Sequence, residues 1–97
     1  MKFTWNSNKL QRNLRKHGIH FEEAAQIFDS PMLCNLDERY DYGEDRWIGI
    51  GMTRGRCIVI VYTETGDDTI HLISARKALK HERETFETHI KDRLEAD

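Results

Sequence analysis

Residues 45–75, DRWIGIGMTRGRCIVIVYTETGDDTIHLISA, decide the fold. Alternation over Asp45–Met52 puts Arg46, Ile48, Ile50 and Met52 on one face of a strand and Trp47 on the other. Thr53-Arg54-Gly55 is a tight turn, so the next segment returns antiparallel. Arg56–Glu64 is rich in β-branched residues and reads as the central strand, with Arg56, Ile58, Ile60, Tyr62 and Glu64 on one side. Gly66-Asp67-Asp68 turns the chain again into a strand over Thr69–Ala75. Three strands joined by short turns form an antiparallel meander.

Upstream, Met32–Leu36 adds a strand, separated from the meander by a charged loop at 37–44. Lys2–Trp5 is a short strand. Asn6 or Ser7 caps a helix running to His17 and ended by Gly18, with Leu10, Leu14 and His17 facing inward and Lys9, Arg12 and Lys16 on another side. Phe21, Ala24, Ala25 and Phe28 fall at i, i+3, i+4 and i+7 of a second helix, which Asp29-Ser30-Pro31 stops. Downstream, Ser74 caps a last helix from about Arg76, with Leu79, Phe86 and Ile90 as its buried stripe. The expected order is β-α-α-β-β-β-β-α: an α+β chain of one domain (residues 1–97), with its helices on one face of an antiparallel sheet.

The 97 residues carry a formal charge of −2, which argues against an anionic partner until the chain is divided. Residues 1–20 sum to +5, 21–45 to −7, 46–63 to +3, 64–70 to −3, 71–83 to +3 and 84–97 to −3. Folding can gather the three basic blocks into one site while the acidic 21–45 block lies elsewhere. No apolar leader or membrane-length run is visible, so a cytoplasmic, membrane-free protein is expected, with Cys34 and Cys57 as reduced, buried strand thiols. His17-x-x-His20 lacks further ligands at metal spacing, so no metal or other cofactor is expected. No phosphate-binding loop, dinucleotide fingerprint or serine-hydrolase elbow is present.

Three groups of residues carry chemistry. Lys9, Arg12 and Lys16 share a helix face with no neighbouring acid, which suits a phosphate backbone and a plain solvated face about equally. Arg76, Lys80 and Arg83, at i, i+4 and i+7, suit phosphate gripping at a helix N-terminus. Arg46, Arg56 and Glu64 flank the central hairpin, where mere edges of a buried apolar face are the better reading from these residues alone. His17 can act as a neutral general base.

Several motifs, in order, resemble the BrnT family of ribonuclease toxins from bacterial type II toxin–antitoxin modules. They are Phe3-x-Trp5, Lys16-His17-Gly18-Ile19, Phe21-Glu22-Glu23-Ala24, Phe28-Asp29-Ser30-Pro31, Gly43-Glu44-Asp45-Arg46-Trp47, Tyr62-Thr63-Glu64, Ile73-Ser74-Ala75-Arg76-x-Ala78 and Glu82-Arg83. The resemblance implies a RelE-like fold and metal-independent RNA cleavage that inhibits translation. It implies a ribbon-helix-helix antitoxin and operator DNA bound only through the toxin–antitoxin complex. Asn6, His20, His71 and Phe86 depart from the family's usual residues, Phe86 replacing a common tyrosine.

These readings combine into one expected mechanism. Arg76, reinforced by helix-end N–H groups, and Arg46 hold the scissile phosphate. Arg83 and Lys80 guide the backbone; Lys9, Arg12, Lys16 and Arg56 bind RNA; Glu64 or His17 is the general base. The alternative, raised by Phe86, is an inactive homologue that serves as a protein-binding co-repressor with the antitoxin.

Overall fold

The computed structural model describes residues 1–95. Its strands are β1 (Lys2–Trp5), β2 (Leu33–Leu36), β3 (Trp47–Thr53), β4 (Arg56–Glu64) and β5 (Thr69–Lys77). Its helices are α1 (Ser7–His17), α2 (Phe21–Ala25) and α3 (Lys80–Glu95), with a 3-10 turn at Gln26–Asp29 after α2. The strands form one sheet in the order β1-β5-β4-β3-β2. The β2–β5 run is the expected meander; Arg54 and Gly55 both take positive φ, as its tight β3–β4 turn demands. The sheet is not wholly antiparallel, because β1 adds to the free edge of β5 in parallel.

The local signals at α1 act as expected. The Asn6 side chain accepts from the backbone N–H groups of Asn8 and Lys9, and Gly18 closes the helix at φ 69°. His20 caps α2 through Nδ1, which accepts from Glu22 N at 3.0 Å.

The helices divide between the two faces, rather than sharing one. Ile58, Ile60 and Tyr62 pack with Ile19, Phe21, Ala24 and Ile27 under the α2 side, joined by Ile70, Leu72 and Ala75. Cys57 and Val59 point the other way and pack with Ile50, Ala78 and Phe86 beneath α3. The period-2 alternation of β4 serves both cores at once. Opposite it, the β3 backbone comes so close to the 3-10 turn that a Cβ on Gly51 would lie 2.9 Å from Ile27 Cβ.

The end of β5 corrects the expected start of the last helix. Arg76 and Lys77 pair with Val59 and Ile58, so the strand runs past Ala75 and α3 begins only at Lys80. Ser74 is therefore a strand residue and not a cap. Leu79 is exposed outside the helix, while Phe86 is buried and Ile90 half-buried. Cys57 is buried as expected, but Cys34 is exposed because β2 is an edge strand.

Within β5 the register with β4 shifts between Val61 and Tyr62, which pair with Ser74 and Leu72 and leave Ile73 as an extra residue. This bulge resets the alternation. Leu72 and Ala75 both enter the α2-side core, and Ser74 and Arg76 emerge on the opposite face beside Ile48, Val59 and Val61.

Candidate nucleic-acid interface

Helix α1 lies along the β5 edge beyond β1. It is fixed there by buried Asn13, whose Oδ1 accepts from Ala75 N at 3.0 Å and whose Nδ2 donates to Ile19 O at 2.8 Å. The seam holds a cleft of about 250 Å³ lined by Lys9, Arg12, Lys16, His17, Ile73 and Ser74. A second cleft of about 390 Å³ shares Lys16, His17 and Ser74 and continues over the sheet to Arg39, Ile48, Val61, Arg76 and Glu82. Together they make one groove with a basic wall and an apolar floor. His17 belongs to this wall, not to the core stripe of α1.

Arg76 stands at the groove's end and is held rigidly. Its Nη1 and Nη2 donate to Glu82 Oε1 and Oε2 at 2.7 and 2.8 Å. Glu82 Oε1 also accepts from Leu79 N at 2.8 Å, so one carboxylate caps the start of α3 and orients the arginine. The Arg76 bond is the main reason the Glu82 carboxyl is pushed down to about 2, and the same bond raises Arg76. The support under Arg76 is thus a carboxylate clamp, where the sequence suggested helix N–H groups.

His17 has its pKa lowered from 6.5, first by burial and then by the charges of Lys16 and Arg76. Its imidazole is neutral at neutral pH and can accept a proton.

Of the other expected site residues, Arg46 lines neither cleft, so the pairing of Arg46 with Arg76 on one phosphate has no support in the fold. Arg46 precedes β3, on the Ile48 face by alternation, and its guanidinium lies 4.0 Å from the centroid of the Tyr42 ring. Its Nε is buried without a hydrogen-bond partner, with Glu44 Oε1 at 3.5 Å. Lys80 and Arg83 lie on α3 and do not line the groove, because Arg76 is on a strand and the three share no helix face. Arg83 faces Glu87 at 3.8 Å instead.

Arg56 and Glu64 are not brought to Arg76. Arg56 donates from Nε and Nη2 to Glu23 Oε2 at 3.0 and 2.7 Å, and Arg54 lies 3.8 Å from Glu23 Oε1. This cluster ties the β3–β4 hairpin to α2. Arg56→Ala is expected to lower the melting temperature and leave RNA cleavage within about twofold of wild type; a large activity loss in a folded variant contradicts this placement. Glu64 pairs with Ile70, six residues from Arg76 along β5 and roughly 20 Å away. It lines an acidic corner with Asp67 and Asp68, where the N-terminal amine bonds Asp68 at 2.8 Å.

The sequence assigns no functional role to Arg39, Asp37, Glu82 or Asn13. Arg39 was masked by the acidic block around it, yet it lines the groove. Asp37, fully buried at its side chain, accepts from Arg39 Nε and Nη2 at 2.8 and 2.9 Å, and this pairing holds its carboxyl well below the usual range. Three-residue spacing from Leu79 to Glu82 was the available signal for the clamp. Among the described residues no three His, Cys, Asp or Glu side chains are grouped to hold a metal ion, and no helix is long and apolar enough to cross a membrane.

A family model described as the ribonuclease toxin BrnT of type II toxin–antitoxin systems matches residues 5–82. No curated protein matches the sequence. Among solved structures, the 1.1 Å crystal structure of the Brucella abortus ribonuclease toxin BrnT superposes with a TM-score of 0.64 at 28% identity. That match covers 82% of this chain and 99% of the Brucella chain. The matched span contains every residue of the groove wall from Lys9 to Glu82, and the chain belongs to the BrnT family of ribonuclease toxins of type II toxin–antitoxin systems.

Proposed function

We propose that the α1–β5 groove binds RNA and cleaves it without a metal ion, using the RNA's own 2′-hydroxyl as nucleophile. The observation that carries this reading is the convergence of Lys9, Arg12, Lys16, His17, Arg39 and Arg76 along one groove, with Glu82 the one acidic lining residue among the described residues. A chain of net charge −2 thereby offers a local cationic track for a phosphate backbone.

The chemistry follows from the groups present. His17 takes the proton from the 2′-oxygen, which attacks phosphorus. Arg76 and Lys16 neutralise the charge gathering on the phosphoryl oxygens. The bond to the 5′-oxygen breaks, and that oxygen takes a proton from solvent. The products are a 2′,3′-cyclic phosphate and a 5′-hydroxyl. His17 replaces Glu64 as the proposed base because Glu64 sits in a corner that repels RNA.

Incubating the protein with end-labelled RNA in excess chelator tests the reading. Cyclic-phosphate products are expected, with none from a 2′-O-methyl strand. Loss of cleavage on chelation, restored by a divalent ion, identifies a metallonuclease instead. The rate should also fall roughly tenfold per pH unit on the acid side. Because burial and cations lower the His17 pKa, that limb should bend below pH 6.5, and His17→Gln should remove it.

Translation is blocked through this cleavage, and a ribbon-helix-helix antitoxin neutralises the toxin; operator DNA is bound by the complex and not by the toxin alone. Gel shifts of operator DNA with each protein and with both test the last point. The inactive co-repressor reading is the alternative. Phe86 is buried beside Val59 and Ile48, which line the groove, and the same cleavage assay separates the two: no products at any pH favour the co-repressor.

A further inference from the structure

The loop between β2 and β3 carries two tyrosines that the cleavage chemistry does not use. Tyr40 is 70% exposed, the most open aromatic ring in the described chain. Its ring meets Tyr42 edge to face, with centroids 5.8 Å apart at 70°. Tyr42 is fixed on two sides, by the stacked Arg46 guanidinium and by its hydroxyl, which donates to Asp37 Oδ2 at 3.1 Å. Asp37 in turn anchors the loop, binding Arg39 through both carboxylate oxygens while its N–H donates to Arg46 O at 2.7 Å.

A small loop with a buried carboxylate at its root therefore carries an uncovered aromatic ring packed edge to face on an anchored tyrosine. Arg39, which immediately precedes Tyr40, and Ile48, two residues beyond Arg46, both line the groove. Tyr40 thus follows directly on a groove-lining arginine. A flat, open ring beside a phosphate-binding track fits one ligand chemistry: an unstacked nucleobase, whose π-face any sequence supplies. In a duplex the bases are already stacked on one another and cannot offer that face.

We infer that Tyr40, supported by Tyr42 and Arg46, is a nucleobase-stacking platform that adds affinity for an unstacked base of the bound RNA. The inference rests on the groove being the RNA site. Stacking adds affinity without sequence preference, and Arg39 holds the adjacent phosphate.

Fluorescence anisotropy with 2′-O-methyl adenosine octamers, which cannot be cleaved, and with abasic octamers of the same backbone tests this. Wild type should bind the base-bearing strand about 10- to 100-fold more tightly. Tyr40→Ala should bind both strands with the wild-type abasic affinity, and Tyr40→Trp should keep the preference. Equal binding of the two strands by wild type, or a preference that survives Tyr40→Ala, overturns the platform and leaves the groove intact. Binding of neither strand by wild type overturns the groove reading and the platform with it.

Discussion

Arg76→Ala is expected to lower the rate of RNA cleavage by about 10²–10³ while leaving the protein folded, as measured by single-turnover cleavage of a labelled strand. The size follows from what Arg76 supplies: a planar, permanently charged fork at the groove's end, held before substrate arrives. Its two bonds to Glu82 fix the guanidinium, so little reorganisation remains for the chemical step. Glu82→Gln keeps the shape of this clamp and removes its charge. It should give a smaller loss, weighted toward the turnover rate, because Arg76 is still present but less firmly aimed. Wild-type rates in Arg76→Ala would remove Arg76 from the proposed mechanism.

The second large effect is on stability. Asn13→Ala should cost about 2–4 kcal/mol, read from denaturant midpoints at unchanged slope. Two backbone groups lose their partners at once, the Ala75 N–H and the Ile19 carbonyl. Both sit where water does not readily replace the amide, since Ala75 and Ile19 are fully buried. The same bonds hold α1 against the bulged edge of β5, so the loss should also loosen Lys16 and His17. Asn13→Asp can retain the acceptor to Ala75 N but puts a carboxylate against the Ile19 carbonyl, and it should not rescue. A cost below about 1 kcal/mol for Asn13→Ala would mean that the edge is held by other contacts.

Much of the fold was legible because β3 and β4 alternate cleanly and their turn needs positive φ at Gly55. Each side of β4 reads as a core face because each side is one. The β5–α3 boundary was misread for a definite reason. Ser74-Ala75-Arg76-Lys77-Ala78-Leu79-Lys80 has good helix formers behind a good cap, but Val59 and Ile58 recruit Arg76 and Lys77 into the sheet. Ladder pairing with a buried central strand outweighs local propensity. The bulge at Ile73 left no trace in composition, yet it decides that Arg76 faces the groove.

The candidate site was legible in part for related reasons. Among the described residues no acid pairs with Lys9, Arg12 or Lys16 of α1, and the 71–83 block supplies Arg76. In the 46–63 block, Arg54 and Arg56 are drawn to Glu23, an acid 33 residues from Arg56 in sequence. Charge blocks show where cations are abundant; only long-range pairing shows which remain available. The acidic 21–45 block divides as well, since Glu23 holds the hairpin while buried Asp37 anchors Arg39, which lines the groove.

The central claim is that RNA lies along α1 and the bulged end of β5. Titrating the isotope-labelled toxin with a 2′-O-methyl RNA octamer, and following amide and side-chain NMR shifts, tests it most directly. Perturbation is expected at Lys9, Arg12, Lys16, His17, Ser74 and Arg76, with Arg54, Arg56, Glu64 and Asp68 unmoved. Shifts centred on the β3–β4 hairpin or on the face of α3, with the α1–β5 seam silent, would contradict it.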